Sequence, residues 1–513
     1  MITQLQQLPK KALVIFIFLT PVLLNLFPNL YAFFKTPSGY SFTGNNSWFD
    51  PWDVNVYVSA IKFGQAGNIL LSNYYSTVNH EPIIFYPLYT TIGFLMRFVN
   101  PYILFHAFSF ITGTVLVFVL GLLTKIFLGR KYLKTGILLI AIGGGLGWLV
   151  PNALDTNMTG FTFHSAFQRP HESLGLICYI SSLIFYYRST RRKLSYNKMI
   201  CIFLLLQVFI YPYLILSYFT IAFCDSVYLA IKLKSNHLKN ILVQGLLVMP
   251  FLGFYLWQLY QNTAFNLVYN VKLPTPNATQ LLVGYGIFSP ILILQVLGGK
   301  RDPKRVFLNI WFFLSVGLSF LPFGFARFFL KSLFAPAVLL TLLFLPRLNK
   351  NMRITENIAV CLLLFFVLPT SIYMNYGRFV QTKNLSEWVY ITNEQRASLS
   401  FLDKDDFRNK GLLSLYKMGN LIPANTNMKV YFGHFLQTPM ASDKLRKAVA
   451  FYTKALNDKD AKTFLENEKI QFVYFGVEEQ KLSKQFIKSD DLDYNFLERI
   501  YQSQNIVIYQ MKK

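Results

Sequence analysis

Apolar positions along this chain fall into long unbroken runs rather than alternating or one-sided stripes. "ALVIFIFLTPVLLNLFPNLYAFF" (12–34) opens the series. Similar runs recur near 101–127, 134–150, 172–188, 198–211, 212–231, 240–260, 282–298, 306–322, 328–346 and 355–374. Runs approaching 20 residues are long enough for a helix to cross the hydrocarbon core, so the pattern predicts about eleven transmembrane helices. The first run is long, lacks a small-residue cleavage site and is followed by more of its kind. It reads as an uncleaved helix rather than a signal peptide. The stretch "PIIFYPLYTTIGFLMRFV" (82–99) is expected to be a juxtamembrane or re-entrant helix. The continuous run from 198 to 231 is expected to cross twice, turning at "YPY" (211–213), where Pro212 breaks the helix.

After about residue 376 the pattern changes. Charges rise and apolar runs shorten. "NMKVYFGHF" (427–435), "IQFVYFGV" (470–477) and "NIVIYQM" (505–511) read as strands, with helical stretches such as "DKLRKAVAFYTKAL" and "AKTFLENE" between them. The expected organisation is a multi-span helical domain over 1–375, with a first outer loop at 35–100, followed by a soluble α/β domain over 376–513.

Composition agrees with a membrane protein: 53% of the 513 residues are hydrophobic, 14% charged, and the mean hydropathy is +0.37. The net charge of +25 raises the possibility of a nucleic-acid partner, which the placement of the charges excludes. Before residue 376 there are 28 Lys and Arg against 8 Asp and Glu. Of those 28, 21 fall in short clusters between apolar runs: Lys10–Lys11, Lys125–Lys134, Arg188–Lys198, Lys232–Lys239, Lys300–Arg305 and Arg347–Arg353. This is the bias of cytoplasmic loops, with no continuous stripe for a phosphate backbone. It predicts a multi-pass plasma (inner) membrane protein with a cytoplasmic N-terminus and an extracytoplasmic C-terminal domain. The four cysteines lie inside apolar runs without CxxC spacing and are expected to be buried packing residues.

In so basic a membrane domain the acids are informative. Asp302 reads as a solvated loop charge and Glu356 as a helix-start acid suited to the dipole. Asp225 lies within a span near its inner end, where a packing or interhelical hydrogen-bonding role is as plausible as a pathway role. The other five, Asp50, Asp53, Glu81, Asp155 and Glu172, fall on the outer side. In "NNSWFDPWDVNVY", Pro51 suits the first position of a helix and Asp50 its N-cap, which explains Asp50 structurally. Asp53 has no such explanation. It shares a helix face with Tyr57, four residues on, and an unpaired acid beside Trp and Tyr at a membrane surface is a candidate general base.

Two further clusters lie on the same side. "FTFHSAFQRPHESLG" (161–175) gathers His164, Arg169, His171 and Glu172 ahead of a helix that starts at Pro170. Its histidine spacing lacks the partners a zinc site requires. "LPFGFARFFLKSLFAP" (321–336) sets Arg327 and Lys331 one helical turn apart. They either snorkel to the interface or hold an anionic phosphate at headgroup level.

Taken together, "DVNVY", "NYYSTVNHEP", "RPHES", "YPY", "GFARFFLKSLFAP" and the tail segment "GNLIPANTNMKVYFGHFLQTP" resemble, in that order, the GT-C class of integral-membrane glycosyltransferases. The closest resemblance is to bacterial GT-C-like proteins with a C-terminal extracytoplasmic domain. The resemblance covers most of the chain and implies a polyprenyl-phosphate-linked sugar donor, membrane lipids around the spans, and a glycan, lipid or protein acceptor. It implies Asp53, with Asp50 and Glu172, as the catalytic carboxylates, Asp53 being the base in an inverting transfer. Arg327 and Lys331 would bind the donor phosphate; Tyr57, Glu81, His164, Arg169 and His171 would position substrate. Val54 stands where some relatives carry a second acid, which weakens a metal assignment. Hard oxygen ligands for Mg²⁺ or Mn²⁺ and metal-free chemistry are both open. The alternatives are a transporter, which would place polar groups on broken helices at mid-membrane, and a non-catalytic scaffold. His434, in "FGHF", looks exposed and is the tail residue of interest for such a scaffold, although a satisfied core histidine is the more common case.

Overall fold

The computed structural model describes residues 8–192, 195–235, 237–265, 273–298, 302–486 and 491–512. Lys193, Lys300 and Arg301 of the basic clusters lie outside the described residues. Helices occupy each stretch expected to span. Among the described residues, six are long and apolar enough to cross a membrane, or seven if Ala278–Tyr285 and Phe288–Leu297, bent by 102°, form one span. The count of eleven is therefore not reached on length. Glycines account for two of the shortfalls. The helix Leu133–Ile142 stops where Gly143–Gly145 begin, and a Cβ at Gly145 would lie 2.1 Å from the Gly284 carbonyl oxygen. The 282–298 run is broken at Gly286, whose φ of +56° a side chain disfavours.

The break expected at Pro212 occurs, and 82–99 is not one long helix. The 198–231 run is split into helices Asn197–Ile210 and Ile215–Leu233, with Tyr211 extended ahead of a 3₁₀ turn at Pro212–Leu214. The 82–99 stretch holds the short helix Pro87–Leu95, which crosses the helix Pro51–Gln65 at backbone contact. A Cβ at Gly93 would lie 1.9 Å from the Ile61 carbonyl oxygen, and one at Gly64 would lie 2.1 Å from that of Thr90.

The tail carries a five-stranded mixed sheet. Strand β1 (Tyr40–Phe42) belongs to the first loop and β2 (Tyr390–Thr392) to the tail; they pair antiparallel, tying the two together. The main sheet takes β3 (Gly411–Leu413), β4 (Lys429–Val430), β5 (Ile470–Phe475), β6 (Leu497–Gln502) and β7 (Val507–Met511) in the order β4-β3-β5-β7-β6. The expected strands β4, β5 and β7 are joined by the short β3 and by β6, whose charged "LERIYQ" masked its periodicity. The helix Tyr416–Asn425 then packs on Pro51–Gln65. Asn420 Nδ2 donates to the Trp52 carbonyl at 3.3 Å and its Oδ1 accepts from Asn55 at 2.5 Å, while Asn55 Oδ1 accepts from Tyr102. One loop helix is thus clamped between the spanning helices and the C-terminal domain.

Three acids of the membrane domain prove structural. Asp225 is fully buried and paired with Arg191 through two contacts of 2.5 and 2.6 Å, with Tyr186 donating at 3.0 Å. Asp155 is likewise buried, accepting from the amides of Gly145 and Gly147 and from Thr370. Asp302 caps the helix Pro303–Leu318. Cys178 and Cys201 are buried and Cys224 partly so, but Cys361 is exposed, contrary to the expectation. It lies on the helix Glu356–Val367 beside exposed Ile358 and Leu362, an apolar face for lipid to cover.

Candidate active site

Pro51 begins the first-loop helix, as expected, but the cap is not the Asp50 side chain. Asp50 adopts a left-handed backbone, φ +38°, and its side chain makes no capping bond. Only its carbonyl engages the helix, accepting from the Asp53 amide at 2.9 Å. The carboxylate instead turns outward, accepting from Thr159 Oγ1 at 2.7 Å and from Arg169 at 3.4 Å. A non-glycine residue held in this region costs on the order of 1–3 kcal/mol and persists only where its surroundings fix it. At Asp50 those surroundings are the Thr159 and Arg169 contacts. Asp53 follows one turn later. Its Oδ2 lies 3.2 Å from Arg169 Nη1, and its Oδ1 accepts from His434 Nε2 at 3.0 Å.

His434 comes from the C-terminal domain and is buried, not exposed as its place in the tail implied. Thr438 Oγ1 accepts from the amides of both Gly433 and His434, which pins the loop. The Leu436 amide donates to His434 Nδ1 at 3.1 Å. Nδ1 is therefore an acceptor, so the ring proton sits on Nε2 and points at Asp53. Only "FGHF" hinted at this partner.

Arg169 occupies the centre of the cluster. The residue before a proline is disfavoured in the α region. Arg169 accordingly is extended between the short helix His164–Gln168 and the long helix starting at Pro170, and this break turns its side chain into the site. The guanidinium lies 3.4 Å from Asp50, 3.2 Å from Asp53 and 3.6 Å from Glu172, and donates to the Phe49 carbonyl. Glu172, in the first turn of its helix, accepts from Ser165 at 2.8 Å and pairs with Lys331 at 3.0 Å. The stem of Lys331 lies across Gly160, where a Cβ would come within 2.5 Å of Lys331 Cε. Lys331 is buried and committed to Glu172, so it neither snorkels nor stands free for a phosphate. Tyr57 stacks on Tyr89 and lies 4.6 Å from the ring of His171, whose Nδ1 meets Tyr89 Oη at 2.6 Å.

Asp50, Asp53, Tyr57, Arg169, His171, Glu172, Lys331 and His434 all line one cavity of about 490 Å³. Much of the remaining wall is aliphatic and aromatic, with Leu216, Met249, Leu252, Leu256 and Phe325 among others. Arg327 and Lys331 both reach this cavity, yet only Arg327 lacks an ion-pair partner among the described residues. Glu81 and His164 are not brought to it. Glu81 is exposed, only its backbone carbonyl being engaged by Asn262, and His164 is buried outside the cavity lining. At Asp53, burial alone raises the pKa, but the Arg169 charge and the His434 hydrogen bond outweigh it. They hold the carboxyl below its ordinary value, so it stays ionised at neutral pH.

A divalent cation does not fit this donor set as arranged. The space between the carboxylates of Asp50, Asp53 and Glu172 is filled by the Arg169 guanidinium. Among the described residues no three His, Cys, Asp or Glu side chains gather as metal ligands would.

No protein-family model and no curated protein matches the chain. Solved structures do. The apo oligosaccharyltransferase of Archaeoglobus fulgidus aligns with 97% of this chain and 74% of its own, with TM-score 0.53 and 14% identity. The same archaeal enzyme, AglB, in complex with an inhibitory peptide and a dolichol-phosphate, aligns with 98% of this chain and 75% of its own, with TM-score 0.50 and 13% identity. The arabinofuranosyltransferase AftD from mycobacteria matches 96% of this chain with TM-score 0.53 and 12% identity. This chain spans 41% of AftD. At such identities the likeness speaks for architecture alone: the chain shares the fold of these two membrane-bound enzymes.

Proposed function

We propose that this chain is a membrane glycosyltransferase. It transfers a sugar from a polyprenyl-phosphate-linked donor to an extracytoplasmic acceptor with inversion, Asp53 acting as general base. The observation that carries this reading is Asp53, ionised between Arg169 and His434, in the wall of a cavity lined by both charged and apolar side chains. The prenyl chain lies along the apolar side chains. The uncommitted Arg327 takes the phosphate, with the bidentate geometry suited to that group. The acceptor oxygen attacks the anomeric carbon from the face opposite the phosphate and forms the new glycosidic bond. The carbon–oxygen bond to phosphate breaks, its electron pair staying on the phosphate oxygen. The acceptor's hydroxyl proton passes to Asp53, and the products are the glycoside and polyprenyl phosphate.

Asp50 and His171 border this space and position sugar hydroxyls; Glu172 acts through Lys331 and Arg169. Arg169 keeps three carboxylates together, a task that otherwise falls to a metal, so the reaction is expected to run in a chelator. The positive clusters support a cytoplasmic N-terminus and a C-terminal domain, with His434, on the outer side.

The test is incubation of the purified protein with a panel of polyprenyl-phosphate sugars, reading released polyprenyl phosphate by mass spectrometry. Release from at least one donor, dependent on Asp53, is expected. No release from any donor, together with solute uptake into proteoliposomes, would replace the transferase by a transporter.

A further inference from the structure

Four aromatic side chains run from the cavity wall into the C-terminal domain. Trp52, next to Asp53 in sequence, lines the cavity. Its ring lies 5.6 Å from Trp388, Trp388 lies 5.9 Å from Tyr416, and Tyr416 lies 5.1 Å from Phe435. The first three are half-buried and Phe435 is 48% exposed. The packing aromatics of the same domain, such as Tyr452 and Tyr474, are fully covered, so the row is not simply the edge of the core. Its inner end is close to the carboxylates. Burial first, and then the charges of Asp53 and Asp50, push the Tyr416 phenol above its ordinary pKa. Beside the row, Lys417 and Glu387 form a pair at 3.3 Å, the Glu387 side chain being 64% exposed.

Half-exposed rings inclined to one another by 40–77° and bordered by charged groups are a particular kind of surface. A prenyl chain is better met by the aliphatic wall of the cavity, which the donor already claims. A peptide held by main-chain pairing takes an open sheet edge, whereas this row is made of side chains. A sugar ring has both surfaces needed: an apolar C–H face to lie on an aromatic ring, and a rim of hydroxyls for carboxylates and ammonium groups.

We infer that the row Trp52–Trp388–Tyr416–Phe435 is an acceptor subsite and that the acceptor is a carbohydrate chain. Its terminal sugar sits at Trp52, where a hydroxyl reaches Asp53, and the preceding sugars stack outward across the C-terminal domain. The inference rests on the transferase reading for its direction, acceptor rather than donor, but the surface itself is tested by binding alone.

The experiment titrates the purified full chain with hexasaccharides of glucose, mannose and arabinofuranose, and with an Asn-Val-Thr peptide, following tryptophan fluorescence and calorimetric heat. Saturable binding of at least one hexasaccharide is expected, weakened about tenfold by Trp388→Ala or Tyr416→Ala, the scale of one lost aromatic contact. Trp388→Phe keeps a ring and restores binding. Trp257→Ala, an exposed tryptophan on the spanning helix Leu238–Gln261, leaves it unchanged. Binding of the peptide but of no hexasaccharide would overturn the inference, as would hexasaccharide binding indifferent to Trp388 and Tyr416, or no binding at all. Donor turnover without glycan binding sinks the subsite and leaves the transferase. Glycan binding without turnover of any donor sinks the transferase and leaves the subsite.

Discussion

The helix Pro170–Arg192 carries a buried arginine–carboxylate cluster at each end, and the two are built on opposite principles. At its C-terminal end Arg191 meets a single acid, Asp225, in a two-contact fork completed by the Tyr186 hydroxyl. Both charges also suit the ends they occupy, with Glu172 at the positive N-terminus and Arg191 at the negative C-terminus. At the N-terminal end, about 28 Å away at the helical rise per residue, Arg169 is shared among three carboxylates at 3.2–3.6 Å. The inner pair is saturated and closed. The outer cluster divides three carboxylates among Arg169, Lys331 and His434 and opens on a cavity. A matched pair of this kind holds helices together; several cations around several acids keep the acids ionised at a cavity wall, as the proposed transfer requires.

Two substitutions separate these roles, beginning with the largest effect. Asp53→Asn keeps the shape and a hydrogen-bonding oxygen but removes the base. Transfer is expected to fall by about 10²–10⁴-fold, with the melting temperature in detergent within a few degrees of wild type. Full activity in this variant would return the outer cluster to a structural role like the inner one. Asp225→Ala should do the reverse. Removing one partner of a buried pair costs about 3–5 kcal/mol, so the protein should melt early, while the fraction that stays folded keeps its KM. A changed KM with unchanged stability would show that the inner pair is no mere strut.

How far these two clusters were legible in the sequence follows from what makes each. The membrane class, the α/β tail, the break at Tyr211–Pro212 and the grouping of Asp53, Arg169 and Glu172 were legible. Long apolar runs, prolines and scarce acids each act over a few residues. The span count was not, because Gly145 and Gly286 bend the chain through close backbone approaches to other segments. Nor was the role of Asp50: its spacing to Pro51 is that of a cap, and only Thr159 and Arg169, more than a hundred residues on, pull the backbone into the left-handed region. Lys331 read as a phosphate ligand because Glu172, 159 positions earlier, is invisible as its partner. Glu81 and His164 are polar residues in the right loops that the fold does not bring to the cavity.

A pH measurement sharpens the contrast from the side of the C-terminal domain, which the outer cluster needs and the inner pair does not. Glu479 is fully buried there, accepting from the amides of Leu415 and Gly476, and burial pushes its pKa up to about 7. A carboxyl whose folded pKa lies above its unfolded value stabilises the fold when protonated. That stability is full below the unfolded pKa near 4.5 and declines as pH rises to about 7. A shift of this size corresponds to roughly 3 kcal/mol. Thermal unfolding of the domain should therefore fall in temperature between those pH values, and Glu479→Gln should flatten the dependence. A profile unchanged by Glu479→Gln would remove Glu479 as its source.

His434 gives the smallest expected effect and the finest cut. Among the described residues it is the hydrogen-bond contact of the C-terminal domain with the proposed base, and it acts on Asp53 rather than on the reacting atoms. His434→Gln retains a donor that can reach Asp53; His434→Ala leaves only Arg169. Losing one hydrogen bond to a charged group is worth about 1.5–3 kcal/mol. His434→Ala should lower kcat by roughly ten- to a hundredfold, with glutamine recovering part of it. The pKa of Asp53 should move with the rate: without the imidazole donor it rises toward its ordinary value, and the acid limb of the pH–rate profile moves up with it. A structural role for His434 predicts a lower melting temperature and an unmoved acid limb. The Arg191–Asp225 pair supplies the control, because its disruption alters stability and leaves that limb where it was.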